Sequence, residues 1–275
     1  MAEKIKIEKG TVAETLVMPL FGRAECSKKW SALFKDEEAE RIIDSIDYDF
    51  SSLNYQSFII LSWACRKHFL CNCARQYLKE HPNATIVNLG CGADTSFSNI
   101  DNGTCHFINL DLPEVIEARE KFTKCREREK NVACSAFDFN WLSQIETKAE
   151  DGLFVMSGGV LFYFEEEMLK NLFCTLAERF PNGGICFDAV NKGGKRRSNM
   201  VVEKSGNKGA KVVFSLENAE KELMAWNPLH FEKVTVQKSL HPDIKKEKSI
   251  PFGTRFAENM GIKLGFMKFV EIRFK

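Results

Sequence analysis

The chain has 275 residues, 44% of them hydrophobic and 28% charged, with 7 Pro and 17 Gly. This is an ordinary globular composition and excludes disordered, collagen-like and repeat classes. Thirty-nine basic against 38 acidic side chains leave a net charge of +1, so the basic surplus of a general nucleic-acid binder is missing and no nucleic-acid partner is expected. The longest uncharged stretches, residues 51–65 and 152–164, fall short of the roughly 18 apolar residues that span a bilayer, and no membrane crossing is expected.

The N-terminal residues alternate charge with Ile and lack the apolar core of a signal peptide. The 10 cysteines are scattered, mostly inside apolar runs, and read as reduced thiols of a cytoplasmic protein. Cys71 and Cys73, with His68 nearby, have no second half of a metal knuckle, so no metal is expected.

Residues 11–79 carry apolar side chains at three- and four-residue spacing, as in Ile42, Ile43 and Ile46, which predicts a helical region; we take residues 1–80 as an N-terminal helical cap. The period then changes, and residues 81–275 read as a second region. Residues 84–89 form a short buried strand ended by Gly90-Cys91-Gly92, and residues 106–110 form a second strand, followed by Asp111-Leu112-Pro113 and a helix with Pro113 at its first position. Residues 131–136 and 153–156 predict a third and a fourth strand. Residues 165–180 predict an amphipathic helix, stopped by Pro181-Asn182-Gly183-Gly184, before a fifth strand over residues 185–190. Strands separated by helical segments mean βαβ units and a mainly parallel α/β sheet. Residues 231–239 and 266–274 alternate and predict an antiparallel, hairpin-like pair. Residues 191–209, rich in Lys, Arg, Gly, Ser and Asn, predict a mobile connection, and its cluster Lys192, Lys195, Arg196, Arg197 reads as a solvated surface.

The sharpest local signal is the run from Ile86 to Thr95. Glycines two apart at a strand's carboxyl end let the backbone turn tightly and approach a ligand. A dinucleotide fingerprint requires a third glycine where this chain has Thr95, and Asp94 places a carboxylate where a pyrophosphate would lie, so a nicotinamide cofactor fits poorly. Asp111, about twenty residues after the turn, suits a ribose, and Asp138 with Phe139 after the third strand suits an adenine. An adenosyl group without a pyrophosphate satisfies all three.

These residues resemble class I S-adenosylmethionine-dependent methyltransferases, and more narrowly the leucine carboxyl methyltransferase and tetracenomycin polyketide O-methyltransferase family. The resemblance covers most of the chain. It rests on Glu14-Thr15-Leu16, Pro19 to Ala24, Asp47-Tyr48-Asp49-Phe50, the Val87 to Thr95 turn, Asp111-Leu112-Pro113, residues 159–164 and residues 180–184. It implies a Rossmann-like sheet of seven strands with the last antiparallel, flanked by helices, with the cap closing over S-adenosyl-L-methionine. Carried over residue by residue, Gly90 and Gly92 line the methionine part, with Asp94 beside them; Asp111 and Leu112 hold the ribose, and Asp138 and Phe139 meet the adenine. Arg66, in the helix before the turn, pairs with the cofactor's carboxylate, and Arg23 is a weaker candidate for a cofactor or substrate carboxylate. Many relatives carry a glutamate where this chain has Ser157, which leaves backbone carbonyls near Gly90 and Ser157 for the cofactor's ammonium.

The expected acceptor is a small molecule, methylated at a carboxylate or hydroxyl of an aromatic, polyketide-like compound. A protein C-terminal carboxylate and a non-catalytic nucleoside-binding role are the alternatives. A carboxylate is already ionised at neutral pH, so no essential general base is expected. Tyr163, after the fourth strand, is a candidate substrate contact, and Phe21, Phe58, Phe162, Phe164 and Trp226 fall in segments expected near the cap.

Overall fold

The computed structural model describes residues 4–8, 11–50, 56–146, 148–205, 211–237, 241, 243–244 and 246–275. The N-terminal layer holds the short strand β1 (Ile5–Lys6), the helices α1 (Val12–Lys29) and α2 (Glu37–Asp44), strand β2 (Ile46–Asp47) and the long helix α3 (Ser57–Glu80). Local chemistry sets these ends. Thr11 caps α1 by accepting from the Glu14 N–H, and Asp36 caps α2 by accepting from the Ala39 N–H. Pro82, two residues beyond α3, cannot continue a helix. Helices α1 and α3 pack so closely that a Cβ at Gly22 would sit 2.1 Å from the Trp63 ring.

The remaining elements are β3 (Thr85–Leu89), α4 (Phe97–Ile100), β4 (His106–Asp111), α5 (Pro113–Glu120), β5 (Glu129–Ala133), β6 (Leu153–Ser157), α6 (Glu166–Arg179), β7 (Gly184–Ala189), α7 (Lys192–Ser205), α8 (Ala219–Met224), β8 (Phe231–Gln237), α9 (Phe252–Lys263) and β9 (Lys268–Phe274). Seven strands form one sheet in the order β5-β4-β3-β6-β7-β9-β8. Strands β3 to β7 pair in parallel, and β9 runs antiparallel to both β7 and β8. Helices cover both faces, so every residue of β3, β6 and β7 is buried, as the continuous apolar runs require. The two-residue period divides the sheet between two cores. Ile86, Phe154 and Cys186 face α3, whereas Val87, Val155 and Ile185 face Leu172, Phe173 and Leu176 of α6.

Four expectations shift. The third strand begins two residues early, at Glu129, because its polar side chains join a network: Asn109 donates to both Glu129 and Asn131. The stretch expected as a mobile connection is the helix α7 over residues 192–205, and residues 206–209 lie outside the described residues. Composition misled because its glycines serve close packing: a Cβ at Gly194 would lie 2.4 Å from the Phe266 carbonyl oxygen, and Asn191 caps the helix by accepting from the Gly194 N–H at 2.8 Å. The last two strands do pair antiparallel, but α9 lies between them in sequence, so they are not a hairpin; residues 238–239 lie outside the described residues. Trp226, expected near the cap, instead packs on Phe173 and Phe214 in the α6-side core.

All ten cysteines are free thiols. Burial pushes the Cys26, Cys65 and Cys91 thiols well above their ordinary range and Cys71 up to about 11. Among the described residues no group of three or more His, Cys, Asp or Glu converges as a metal site, and no helix is long and apolar enough to cross a membrane.

Candidate functional site

From β3 the chain moves outward to β4 and β5, then returns to the other side of β3 with β6. The strand order therefore reverses between β3 and β6, and in open α/β sheets the crevice at such a point, beyond the strands' carboxyl ends, is where ligands bind. Ser157 closes the floor of that crevice: its hydroxyl, at the end of β6, donates to the Leu89 carbonyl at 2.9 Å.

The glycine turn lies directly above. Gly90 and Gly92 have φ of +68° and +49°, a left-handed backbone that favours glycine. At Gly90 space also forbids a side chain, since a Cβ would meet Val160 Cγ2 at 2.5 Å. Leu16 of α1 stands over Gly92, its Cδ2 3.3 Å from a Cβ position there, so the first helix roofs the turn. Across the turn, the Gly92 N–H donates to Asp111 Oδ2 at 2.9 Å, and the Leu112 N–H donates to Asp111 Oδ1 at 2.9 Å. Burial raises the Asp111 carboxyl above its ordinary value, against the Gly92 and Leu112 N–H groups and Arg119. Leu112 is 45% exposed beside it. Asp138 is exposed and caps the 3₁₀ turn Phe139–Gln144, accepting from the Asn140 N–H at 3.1 Å, with Phe139 half-buried.

On the other side of the crevice Arg66 reaches from α3. Its Nη2 lies 2.7 Å from Asp188 Oδ2, whose partner Oδ1 accepts from the Gly159 N–H at 2.6 Å. The Arg66 side chain packs against the Gly158-Gly159 backbone: a Cβ at Gly158 would be 2.9 Å from Arg66 Cδ, and one at Gly159 2.7 Å from Arg66 Nη1. Arg66 Nε is buried with no hydrogen-bond partner. Tyr163, 40% exposed, stands near this pair; burial raises its phenol, with Arg66 drawing it down and Asp188 pushing it up.

Arg23 and Asp94 are brought together, but with each other. Arg23 Nε lies 3.1 Å from Asp36 Oδ2 and its Nη2 3.5 Å from Asp94 Oδ1, while Lys67 Nζ lies 2.8 Å from Asp36 Oδ2 and 3.9 Å from Asp94 Oδ1. Asp94 Oδ2 accepts from Asn88 Nδ2 and the Ser96 N–H. Burial favours the neutral acid, yet Lys67 and Arg23 overcome it and hold Asp94 down at about 2. Two cations and two carboxylates balance in a largely buried cluster that ties α1, α3 and the segment before α2 to the glycine turn. Arg23, at 8% exposure, is engaged in this cluster, and its Nη2 has no hydrogen-bond partner.

Sequence patterns did not mark Asp188, Lys67, Asp36 or Arg119. Asp188 left a signal, being the one charged residue in the run Ile185 to Val190. Lys67 and Asp36 left none, since an isolated Lys on a helix and an Asp at a helix start are ordinary. His241 lies against His68, their rings 4.2 Å apart and tilted by 54°, beside Phe34, and burial, with His241 and Arg75, lowers His68 to about 4.

The parallel sheet with a reversed strand, the glycine turn at its switch point and the acid at the next strand end define the class I methyltransferase architecture. Solved structures agree on the fold: a protein of Thermobifida fusca YX superposes with a TM-score of 0.59 at 11% identity, covering 94% of this chain and 96% of the other. One of Streptomyces avermitilis MA-4680 gives 0.57 at 11% identity over 85% and 94%. The leucine carboxyl methyltransferase profile matches residues 16–177, and the chain belongs to that family of S-adenosylmethionine-dependent methyltransferases. The tetracenomycin polyketide synthesis O-methyltransferase TcmP of Streptomyces glaucescens is 28% identical over 193 residues, 69% of each chain. An S-adenosyl-L-methionine-dependent methyltransferase of Gibberella zeae is 25% identical over 206 residues, 68% of this chain and 69% of the relative.

Proposed function

We propose that the protein methylates a carboxylate or hydroxyl oxygen of a small, aromatic, polyketide-like acceptor. The observation that carries the cofactor assignment is the buried, unpartnered Arg66 Nε across the crevice from the glycine turn. A guanidinium with one edge on Asp188 and a donor left without a partner is a fit for a carboxylate, and the adjoining Gly158-Gly159 backbone has no Cβ to obstruct it. In this reading Arg66 holds the carboxylate of S-adenosylmethionine, and Gly90 and Gly92 admit its methionine part. Asp111, with Leu112 against it, holds the ribose, and Phe139 and Asp138 border the adenine. Carbonyls near Gly90 and Ser157 accept from the ammonium. When bound, the cofactor supplies an electrophilic methyl group on a sulfonium.

The protein's own part is then alignment and exclusion of water. A carboxylate acceptor arrives ionised. A phenol, with pKa near 10, needs a base or a cationic neighbour to ionise it. Likeness to TcmP supports a polyketide-like acceptor, and the Phe162–Tyr163 edge contact at 4.6 Å, beside Arg66, supports an aromatic one. The family match favours one other acceptor, a protein C-terminal carboxylate.

Calorimetry with S-adenosylhomocysteine, with NADH as control, tests the site, and radiolabelled methyl transfer to aromatic acids, phenols and a leucine-ended peptide tests the acceptor. Binding of the thioether alone and labelling of an aromatic acid are expected. Labelling of the peptide alone would reject the small-molecule reading.

A further inference from the structure

Arg119, on α5, is 1% exposed, and neither cofactor nor acceptor binding as proposed engages it. Its Nη1 donates to the Gly92 carbonyl at 2.8 Å and to the Asp94 carbonyl at 2.5 Å, and its Nε donates to Asn131 Oδ1 at 3.2 Å. Its Nη2 lies 3.7 Å from Glu129 Oε1. A buried guanidinium is stable only when its donors and charge are matched, and here backbone carbonyls of the glycine turn supply two of the acceptors. The Gly92 N–H is held from the other side by Asp111 Oδ2 at 2.9 Å. Both peptide groups flanking Gly92 are therefore fixed, one by Asp111 and the other by Arg119. That matters because glycine has the widest backbone freedom of any residue, and an unclamped turn would have to be ordered each time a ligand bound.

We infer that Arg119 is a positioning residue of the cofactor site, locking the segment from Gly92 to Asp94 in the conformation that presents Gly92 and Asp111 to the ligand. The inference rests on the reading that the cofactor binds at this turn. Any rotation of the Gly92 or Asp94 carbonyl would leave a guanidinium N–H unpaired in the interior, so Arg119 gives the turn one low-energy state. The edge strand β5 anchors the arrangement, since Asn131 and Glu129 hold the far side of the guanidinium and are themselves bound by Asn109.

The test compares Arg119→Met and Arg119→Lys with Leu223→Ala, a fully buried position on α8 remote from the turn, chosen to lower stability without touching the site. Dissociation constants for S-adenosylhomocysteine are read well below each melting point, together with amide hydrogen exchange at Gly92. Arg119→Met should weaken binding about tenfold or more, the scale of a lost charged hydrogen bond. Arg119→Lys should fall between it and the wild type, and Leu223→Ala should stay within about twofold of the wild type. Gly92 exchange should quicken in Arg119→Met relative to Val155 of β6. Equal affinity in the arginine variants and Leu223→Ala, with Gly92 exchange unchanged, would overturn the inference; where Arg119→Met fails to fold, Arg119→Lys decides by the same two readouts. Failure of the wild type itself to bind would instead reject the cofactor reading, and the exchange of Gly92, which needs no ligand, still decides whether Arg119 holds the turn.

Discussion

Arg66 of α3 and Asp188 of β7 meet at 2.7 Å, and the second oxygen of the same carboxylate takes the Gly159 N–H at 2.6 Å. One carboxylate thus joins the N-terminal helical layer, the sheet and the segment after β6, with side-chain exposures of only 17% and 3% for the pair. Removing one partner of such a pair strands the other in the interior. Asp188→Asn keeps an acceptor for Gly159 but loses the opposing charge. It should cost about 3 kcal/mol, the lower end for a buried pair because the guanidinium keeps some water. That lowers the melting point by about 6–9 °C. Replacing both groups, as Arg66→Met with Asp188→Leu, should recover much of the stability while abolishing S-adenosylhomocysteine binding. Calorimetric melting and titration read the two effects separately, and an unshifted melting point in Asp188→Asn would rule the pair out as a structural tie.

At Gly90 two separate obstacles face a side chain, the φ of +68° and Val160 Cγ2 at 2.5 Å from a Cβ position. Gly90→Ala should therefore destabilise by about 2–5 kcal/mol, summing left-handed strain and overpacking. Adding Val160→Ala relieves only the second obstacle, so the double variant should regain part of the loss over and above the cost of Val160→Ala alone. A strictly additive double-mutant cycle, measured by urea unfolding, would show that the two residues do not collide.

Asp94 carries a pH signature. Its carboxyl is held at about 2 in the folded protein, below the ordinary value near 3.9, so the folded state favours the ionised form. The stabilisation is complete above about pH 4 and disappears as pH falls through about 2. It amounts to about 2–3 kcal/mol. Asp36, also lowered, adds to the same limb. The stability advantage of the wild type over Asp94→Asn should shrink between about pH 4 and pH 2 in urea titrations, and a pH-independent difference there would contradict the ion cluster.

Glu258 of α9 predicts the opposite slope. It is 4% exposed, its Oε1 has no hydrogen-bond partner, and burial raises its carboxyl to about 8. The unfolded chain ionises near 4.3, so between there and about 8 the folded state binds the extra proton and stability declines as pH rises. Glu258→Gln should be nearly neutral at pH 4 and increasingly stabilising toward pH 8, by up to about 1.4 kcal/mol per pH unit. A flat difference across that range would mean that Glu258 ionises freely in the folded protein.

Much of this architecture is written in local patterns. The apolar runs around Ile86, Phe107, Phe154 and Cys186 read as buried strands because a parallel sheet covered on both faces demands them, and Gly90, Gly92 and Asp111 stood out because a switch-point turn and the acid beyond it fall at a readable spacing. What stayed hidden depends on partners distant in sequence. Gly193 and Gly194 look like loop glycines until Phe266 is found against them. The Arg23, Asp36, Lys67 and Asp94 cluster joins side chains up to 71 positions apart, and no single segment announces a charge that is to be cancelled by another. Arg119 reads as one more basic residue on a short helix, since the carbonyls it binds carry no sequence identity.

The position of β9 also bears on how the chain is made. It is last among the described strands in chain order yet sits inside the sheet, between β7 and β8. During synthesis β7 therefore shows an unpaired hydrogen-bonding edge, and β8 has no neighbour, until residues 268–274 leave the ribosome. An open parallel-sheet edge flanked by buried apolar residues such as Ile185 and Phe187 is a template for pairing with another nascent chain. The half-made protein is thus the species most in need of a chaperone, and truncations before Lys268 should partition to aggregates instead of to smaller folded domains.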